Sequence, residues 1–183
     1  MYEEGEIHIK PCEALRAQDI KRWHMVELSR QQSLAEHTYN VMIIAMAIAE
    51  AKNFGHKMGE IARVALMHDM AEVFIGDLPT PAKKVYSIWG MSAFERSCTY
   101  MGATPTSETK MVNEIVKQAD IIEACLYLRK YAKCNYSFNA YTKLEKELYD
   151  SEDEVAIEIY ESCYNLTPRS LYDFYNVADA KAD

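Results

Sequence analysis

The stretch ALMHDMAEVFIGDLPTP, residues 65–81, reads as an apolar helix that stops at Gly76 and passes into a proline-stiffened loop. Apolar residues recur at helical spacing up to Ile75, and Pro79 and Pro81 lack the N–H that a continuing helix needs. The pattern predicts one helix over about 58–75. His68, Asp69 and Glu72 interrupt it, and Asp77 lies just past its end. Buried carboxylates are costly unless paired or bound to a cation. Polar residues in so apolar a helix therefore point to a site facing a charged ligand.

Working outward, S-L-A-E at Ser33–Glu36 is a capping box that opens a long helix closing near Gly55. From Val41 to Ala49 that helix is apolar on almost every face, which predicts a central, buried position. A short helix at about 11–20 and a loop carrying KRWHMVELSRQQ precede it. Further helices are expected at about 91–101, from Thr106 or Ser107 to about Lys133, at about 138–149, and at about 152–164 behind a Ser151/Glu154 capping box. Pro168 suits the first turn of a last short helix, and the tail VADAKAD reads as frayed. Strand-like alternation is nearly absent. The expected fold class is all-α, a compact helical bundle of irregular topology. One domain should span 1–183, with the motif-bearing core at about 20–131 and C-terminal helices at about 138–177.

The net charge of −8 argues against a nonspecific nucleic-acid binder but is compatible with a small anion held by a few local cations. The five cysteines are odd in number and form no C-x-x-C, which suits a reducing compartment. The acidic start MYEEGEIHIK is unlike a signal or transit peptide, and the apolar run at 41–49 is too short to span a bilayer. A soluble, cytoplasmic protein with no membrane partner is expected.

Three predicted helices each carry polar residues that a core would not choose: His37, the pair His68–Asp69, and Asp120, which shares a face with Val116 and Ala124. Taken singly, each has a plain structural explanation, such as a packed histidine or an Asp120–Lys117 pair. Together, two imidazoles and two carboxylates can hold one divalent metal: Zn, Co, Mn, Mg, Fe or Ni. Helix neighbours point roughly 100° apart, so His68 and Asp69 grip one ion only if it lies beside the helix, over the line between them. Glu72, one turn after His68, then lies beside the same ion.

The order His37, His68-Asp69, Asp120 resembles the HD-domain metal-dependent phosphohydrolases. The run H-D-M-A-E-V-F-I-G-D-L-P-T-P is similar to YfbR-type 5′-deoxynucleotidases and to phage dATP triphosphohydrolases of the DatZ type. Arg22-Trp23, fifteen residues before His37, and V-K-Q-A-D leading to Asp120 also match. The resemblance covers about residues 20–131; the short segment between GDLPTP and Asp120 fits the compact phage enzymes better than the bacterial monophosphatases. It implies a metal-dependent deoxynucleotide phosphohydrolase, with a dATP-preferring triphosphohydrolase favoured and a 5′-deoxynucleotidase as the alternative. A non-catalytic metal- or nucleotide-binding regulatory module is a third class, which the presence of Arg22, Glu72 and Asp77 disfavours. The resemblance also implies a homo-oligomer, a dimer or a hexamer built from dimers; apolar Trp89, Met91, Phe94 and Met101 suit either core or interface.

Within this frame Glu72 orients or deprotonates water or shuttles a proton, and Arg22 offers a planar fork to phosphate. Lys83 and Lys117 are candidate phosphate cations, Lys84 a weaker one. Asp77 can accept a hydrogen bond from the 3′-hydroxyl. By resemblance, Trp23 walls off the sugar and favours 2′-deoxy substrates, while Met25 and Pro81 line the base pocket. Of the remaining histidines, His8, His24 and His56, only His24 is near the motif, so a single metal site is expected.

Overall fold

The computed structural model describes residues 10–79, 97–100, 102 and 105–165. Among them the regular elements are all helical, as expected, and extended pairing is limited to the single bridges Lys21↔Ser33 and Leu28↔Ala132. Helix α1 (Pro11–Ala14) runs on into a 3₁₀ turn at Leu15–Gln18. Helix α2 (Leu34–Ala51) begins at the predicted capping box: the Glu36 N–H donates to Ser33 Oγ, and the Ser33 N–H donates to Glu36 Oε2 at 2.8 Å. It ends earlier than predicted. Asn53 makes the left-handed turn at φ 56°, a conformation Asn tolerates better than most residues, and Gly55 starts a separate 3₁₀ turn. Nor is α2 buried all round. Val41, Ala45, Ile48 and Ala49 are in the core, but Tyr39 and Ile43 are exposed.

The predicted helix over 58–75 is two helices, α3 (Met58–Met67) and α4 (Glu72–Ile75), separated at His68–Ala71. Across the break the N–H groups of Met70, Glu72, Val73 and Phe74 bond three residues back, to Met67, Asp69, Met70 and Ala71. Such a turn advances about 120° per residue instead of about 100°. It turns Met70 and Val73 into a small apolar cluster with Ala17 and Leu34. It brings His68 and Asp69 beside α2. Gly76 ends α4 at φ 77°, ψ 167°, a conformation that only glycine adopts easily.

The helical residues 97–100 are the described part of the helix expected at 91–101; the helix expected from Pro168 and the tail lie outside the described residues. Helix α5 (Lys110–Tyr131) starts later than expected. Asn113 holds Ser107 out of the helix, accepting from its N–H and donating to its carbonyl, both at 2.7 Å. Helices α6 (Asn135–Asp150) and α7 (Glu154–Asn165) follow. The Ser151/Glu154 box does not form. Ser151 Oγ donates to the Leu148 carbonyl, and Asp153 caps α7 by accepting from the Ala156 N–H at 3.2 Å. Ile48, Ile61, Ile115, Ile122, Leu148 and Tyr160 meet in the main core between α2, α3, α5, α6 and α7.

The segment 20–34 is closed at its base by Leu34 N–H to Ile20 carbonyl and Arg22 N–H to Gln32 carbonyl bonds, each 2.9 Å. Its far end is held on α5 by Ser29 N–H to Tyr131 carbonyl and Tyr127 hydroxyl to Arg30 carbonyl bonds, each 2.8 Å. Arg22 and Trp23 are thereby carried beside the α3–α4 break.

Candidate active site

His37 lies one turn into α2, fully buried, and its N–H bonds the Ser33 carbonyl. Its Nδ1 is 2.6 Å from Glu123 Oε2, and His68 Nδ1 is 2.7 Å from the Ala65 carbonyl. A carboxylate and a carbonyl only accept, so both Nδ1 atoms donate. Both Nε2 atoms are then turned toward one point and lie 3.3 Å apart.

Two carboxylates meet them there. Asp69 Oδ2 is 3.7 Å from His37 Nε2 and 3.4 Å from His68 Nε2; Asp120 Oδ1 is 3.2 and 3.9 Å from the same atoms. Donors about 2.0–2.2 Å from a single tetrahedral ion are about 3.3–3.6 Å from one another. The spacings among His37, His68 and Asp69, 3.3–3.7 Å, fit such an ion, and Asp120 approaches both imidazoles from outside that tight group. Among the described residues, His37, His68 and Asp69 form the one group whose donor atoms all lie within 4.8 Å of each other. Burial works against a proton on His68, yet Asp69 first and Asp120 after it push the imidazole up to about 9. Burial likewise works against charge on Asp120, but His37 and His68 bring its carboxyl down to about 2. The cluster thus attracts positive charge, whether as protons or as a metal.

Arg22 is buried beside it and donates from Nη1 to Asp69 Oδ2 at 2.8 Å. Its buried Nε has no hydrogen-bond partner among the described residues. Burial lowers the tendency of this guanidinium to stay charged, but Asp69, Asp120, Asp77 and Glu72 together outweigh that. Glu72, the first residue of α4, is fully buried. Trp23 has φ 60°, rare for a bulky side chain, and its N–H donates to Asp77 Oδ2 at 2.9 Å. Asp77 is therefore tied to the Trp23 backbone through one of its two oxygens. Its other near neighbour is the half-exposed His24, 3.8 Å away.

Of the other expected site residues, Met25 is 73% exposed. Lys117 lies one turn before Asp120, with its Nζ 3.2 Å from Glu147 on α6. Pro81 and Lys83 lie outside the described residues, as does His8. His56 packs its ring edge against Phe54. Sequence reasoning passed over Glu123, which holds His37, and Gln32 and Asn40, which hold Glu123. The available signal was an acid three residues after Asp120 in the apolar run IIEACLYL.

A histidine pair and two acids are gathered between three helices with a buried arginine alongside, a donor set that suits a divalent metal. The family described as 5′-deoxynucleotidase YfbR-like matches residues 13–89. A 5′-deoxynucleotidase of Photorhabdus laumondii is 31% identical over 160 residues, covering 74% of this chain and 80% of that protein. A dATP triphosphohydrolase of Salmonella phage PMBT28 is 29% identical over 154 residues, covering 80% and 79%. Among solved structures, the cyanophage S-2L HD phosphohydrolase DatZ, bound to dA and one catalytic zinc ion, superimposes with a TM-score of 0.66 at 23% identity, covering 84% of this chain and 95% of that one. An HD-domain phosphohydrolase of Listeria innocua gives 0.61 at 18% identity, covering 82% and 83%. These two likenesses speak for a shared fold. The chain belongs to the YfbR-like 5′-deoxynucleotidase family.

Proposed function

We propose that this chain is a metal-dependent phosphohydrolase of deoxynucleotides, most simply a dATP-preferring triphosphohydrolase. The observation that carries the proposal is the convergence of two Nε2 atoms and two carboxylates at 3.2–3.9 Å beside a buried arginine. His37, His68, Asp69 and Asp120 would hold one divalent ion, which when bound polarises a phosphate oxygen and makes water more acidic. Arg22, anchored by Asp69, offers its Nε–H to phosphate and fixes the approach of the anion. Glu72, buried one turn past Asp69, takes a proton from the attacking water or passes one to the leaving alcohol. Trp23 stands against the sugar, and Asp77 keeps it there through the 2.9 Å bond to its N–H.

A 5′-deoxynucleotidase acting on monophosphates is the second reading, supported by the match to the 5′-deoxynucleotidase family and to its Photorhabdus relative. Release of phosphate and of triphosphate, measured across dNMPs, dNTPs and rNTPs, separates the two. Triphosphate from dATP with little turnover of dAMP supports the first; the reverse supports the second. No turnover of any of them by metal-loaded protein would reject both. Assembly as a dimer or a hexamer is part of the proposal. Support comes from the exposed Tyr39 and Ile43 on α2, and sedimentation velocity measures it.

A further inference from the structure

Glu123 lies one turn beyond Asp120 on α5 and is 3% exposed. Among the described residues no lysine or arginine forms a salt bridge with it; its ionic partner is His37. A buried acid needs its charge met by hydrogen bonds, and here three N–H donors converge on it. His37 Nδ1 donates to Oε2 at 2.6 Å. Gln32 Nε2 and Asn40 Nδ2 both donate to Oε1, the latter at 3.1 Å. Gln32 is itself buried and comes from the base of the closed segment, while Asn40 lies one turn after His37 on α2. An ionised carboxylate accepts at both oxygens and donates nothing. It is the side chain that satisfies all three donors at once.

We infer that Glu123 is a positioning residue for the metal centre, holding His37 in the tautomer with its lone pair on Nε2 and fixing the plane of its ring. Gln32 and Asn40 hold the carboxylate in turn. The inference rests on the metal assignment proposed above. His68 receives the same service from a neutral backbone carbonyl, so the two imidazoles are not equivalent. The negative partner makes His37 the more electron-rich donor. An amide at position 123 cannot supply the negative charge. Turned one way, its NH₂ faces His37 Nδ1 and drives the ring proton to Nε2, onto the lone pair the metal needs. Turned the other way, it meets the NH₂ groups of Gln32 and Asn40, which must both flip to accept from it, and His37 is left with a neutral partner.

The test compares wild type and Glu123→Gln in a Co²⁺ titration followed by visible absorption, with dATP and dAMP turnover measured at saturating cobalt. Glu123→Gln should weaken Co²⁺ binding about 10–100-fold and change the cobalt bands. At saturating cobalt it should lower kcat and leave KM near wild type, because the buried Glu123 carboxylate is taken up by His37, Gln32 and Asn40. Should Glu123→Gln fail to fold, Asn40→Ala removes one supporting bond at an exposed position and should weaken cobalt binding about two- to tenfold. Wild-type affinity and bands in the folded variant overturn the role of Glu123 and leave the metal site standing. A wild-type chain that binds no cobalt overturns both.

Discussion

At the scale of single residues, Asp69 and Asp120 sit at one cluster with different duties. Asp69 is buried and also anchors Arg22, whereas Asp120 is partly exposed and faces the two imidazoles. Asp120→Ala should abolish metal binding and turnover with little change in helix content by circular dichroism. Asp69→Ala should do the same and additionally lower thermal stability, because Arg22 loses its partner in a buried setting, a change that typically costs about 3–5 kcal/mol. Metal binding retained in either variant would remove that residue from the ligand set. Asp77 carries a separate expectation. Trp23 occupies a left-handed conformation that its side chain does not favour, and the Asp77 bond to its N–H helps to keep it there. Asp77→Ala should therefore erode the preference for deoxy over ribo substrates. An unchanged dATP-to-ATP ratio of kcat/KM counts against this.

At the scale of elements, what could be read in advance depended on how local the cause was. The capping box at Ser33 and Glu36 was legible because both partners lie within one turn. The stop at Gly76 was legible because glycine and the prolines after it act on the backbone directly. The break between α3 and α4 was not. MHDMA carries no proline or glycine, and the break is held by packing of Met70 and Val73 onto Ala17 and Leu34, far away in sequence. His37, His68, Asp69 and Asp120 are distant from one another but were singled out together by residue type and by a family pattern, while Glu123 lies outside that pattern and reads as any acid on a helix. A local cause also went unread at the start of α6, three residues before the expected position, where the Ser137 hydroxyl accepts from the Lys133 and Cys134 N–H groups. Gly76 offers the direct test. A Cβ there would touch nothing within 4 Å among the described residues, so the penalty for Gly76→Ala is conformational. It should lower unfolding free energy by about 1–3 kcal/mol in denaturant titration. A smaller change would mean that the turn relaxes when the residue is replaced.

At the scale of the whole molecule, protons would compete with a metal for the centre proposed above. With no metal bound, the imidazole of His68 titrates near 9 against an ordinary 6.5. Its folded value is raised, so its protonation stabilises the metal-free protein fully below about pH 6.5, and that contribution fades as pH rises toward about 9. Ligation needs the neutral ring. Metal affinity should therefore climb with pH across this interval, and adding metal at pH 7 should release about one proton from His68 to an indicator dye. Uptake without proton release would contradict that picture. The closed segment 20–34 has a different consequence. It is tied at its base to itself and at its far end to the close of α5, so it offers a protease no slack chain to draw into an active-site cleft. Lys21, Arg22 and Arg30 are all nominal trypsin sites, yet brief digestion should spare them while α5 is docked. A nick in this segment then serves as a reporter that the clasp between the front of the chain and its longest helix has come undone.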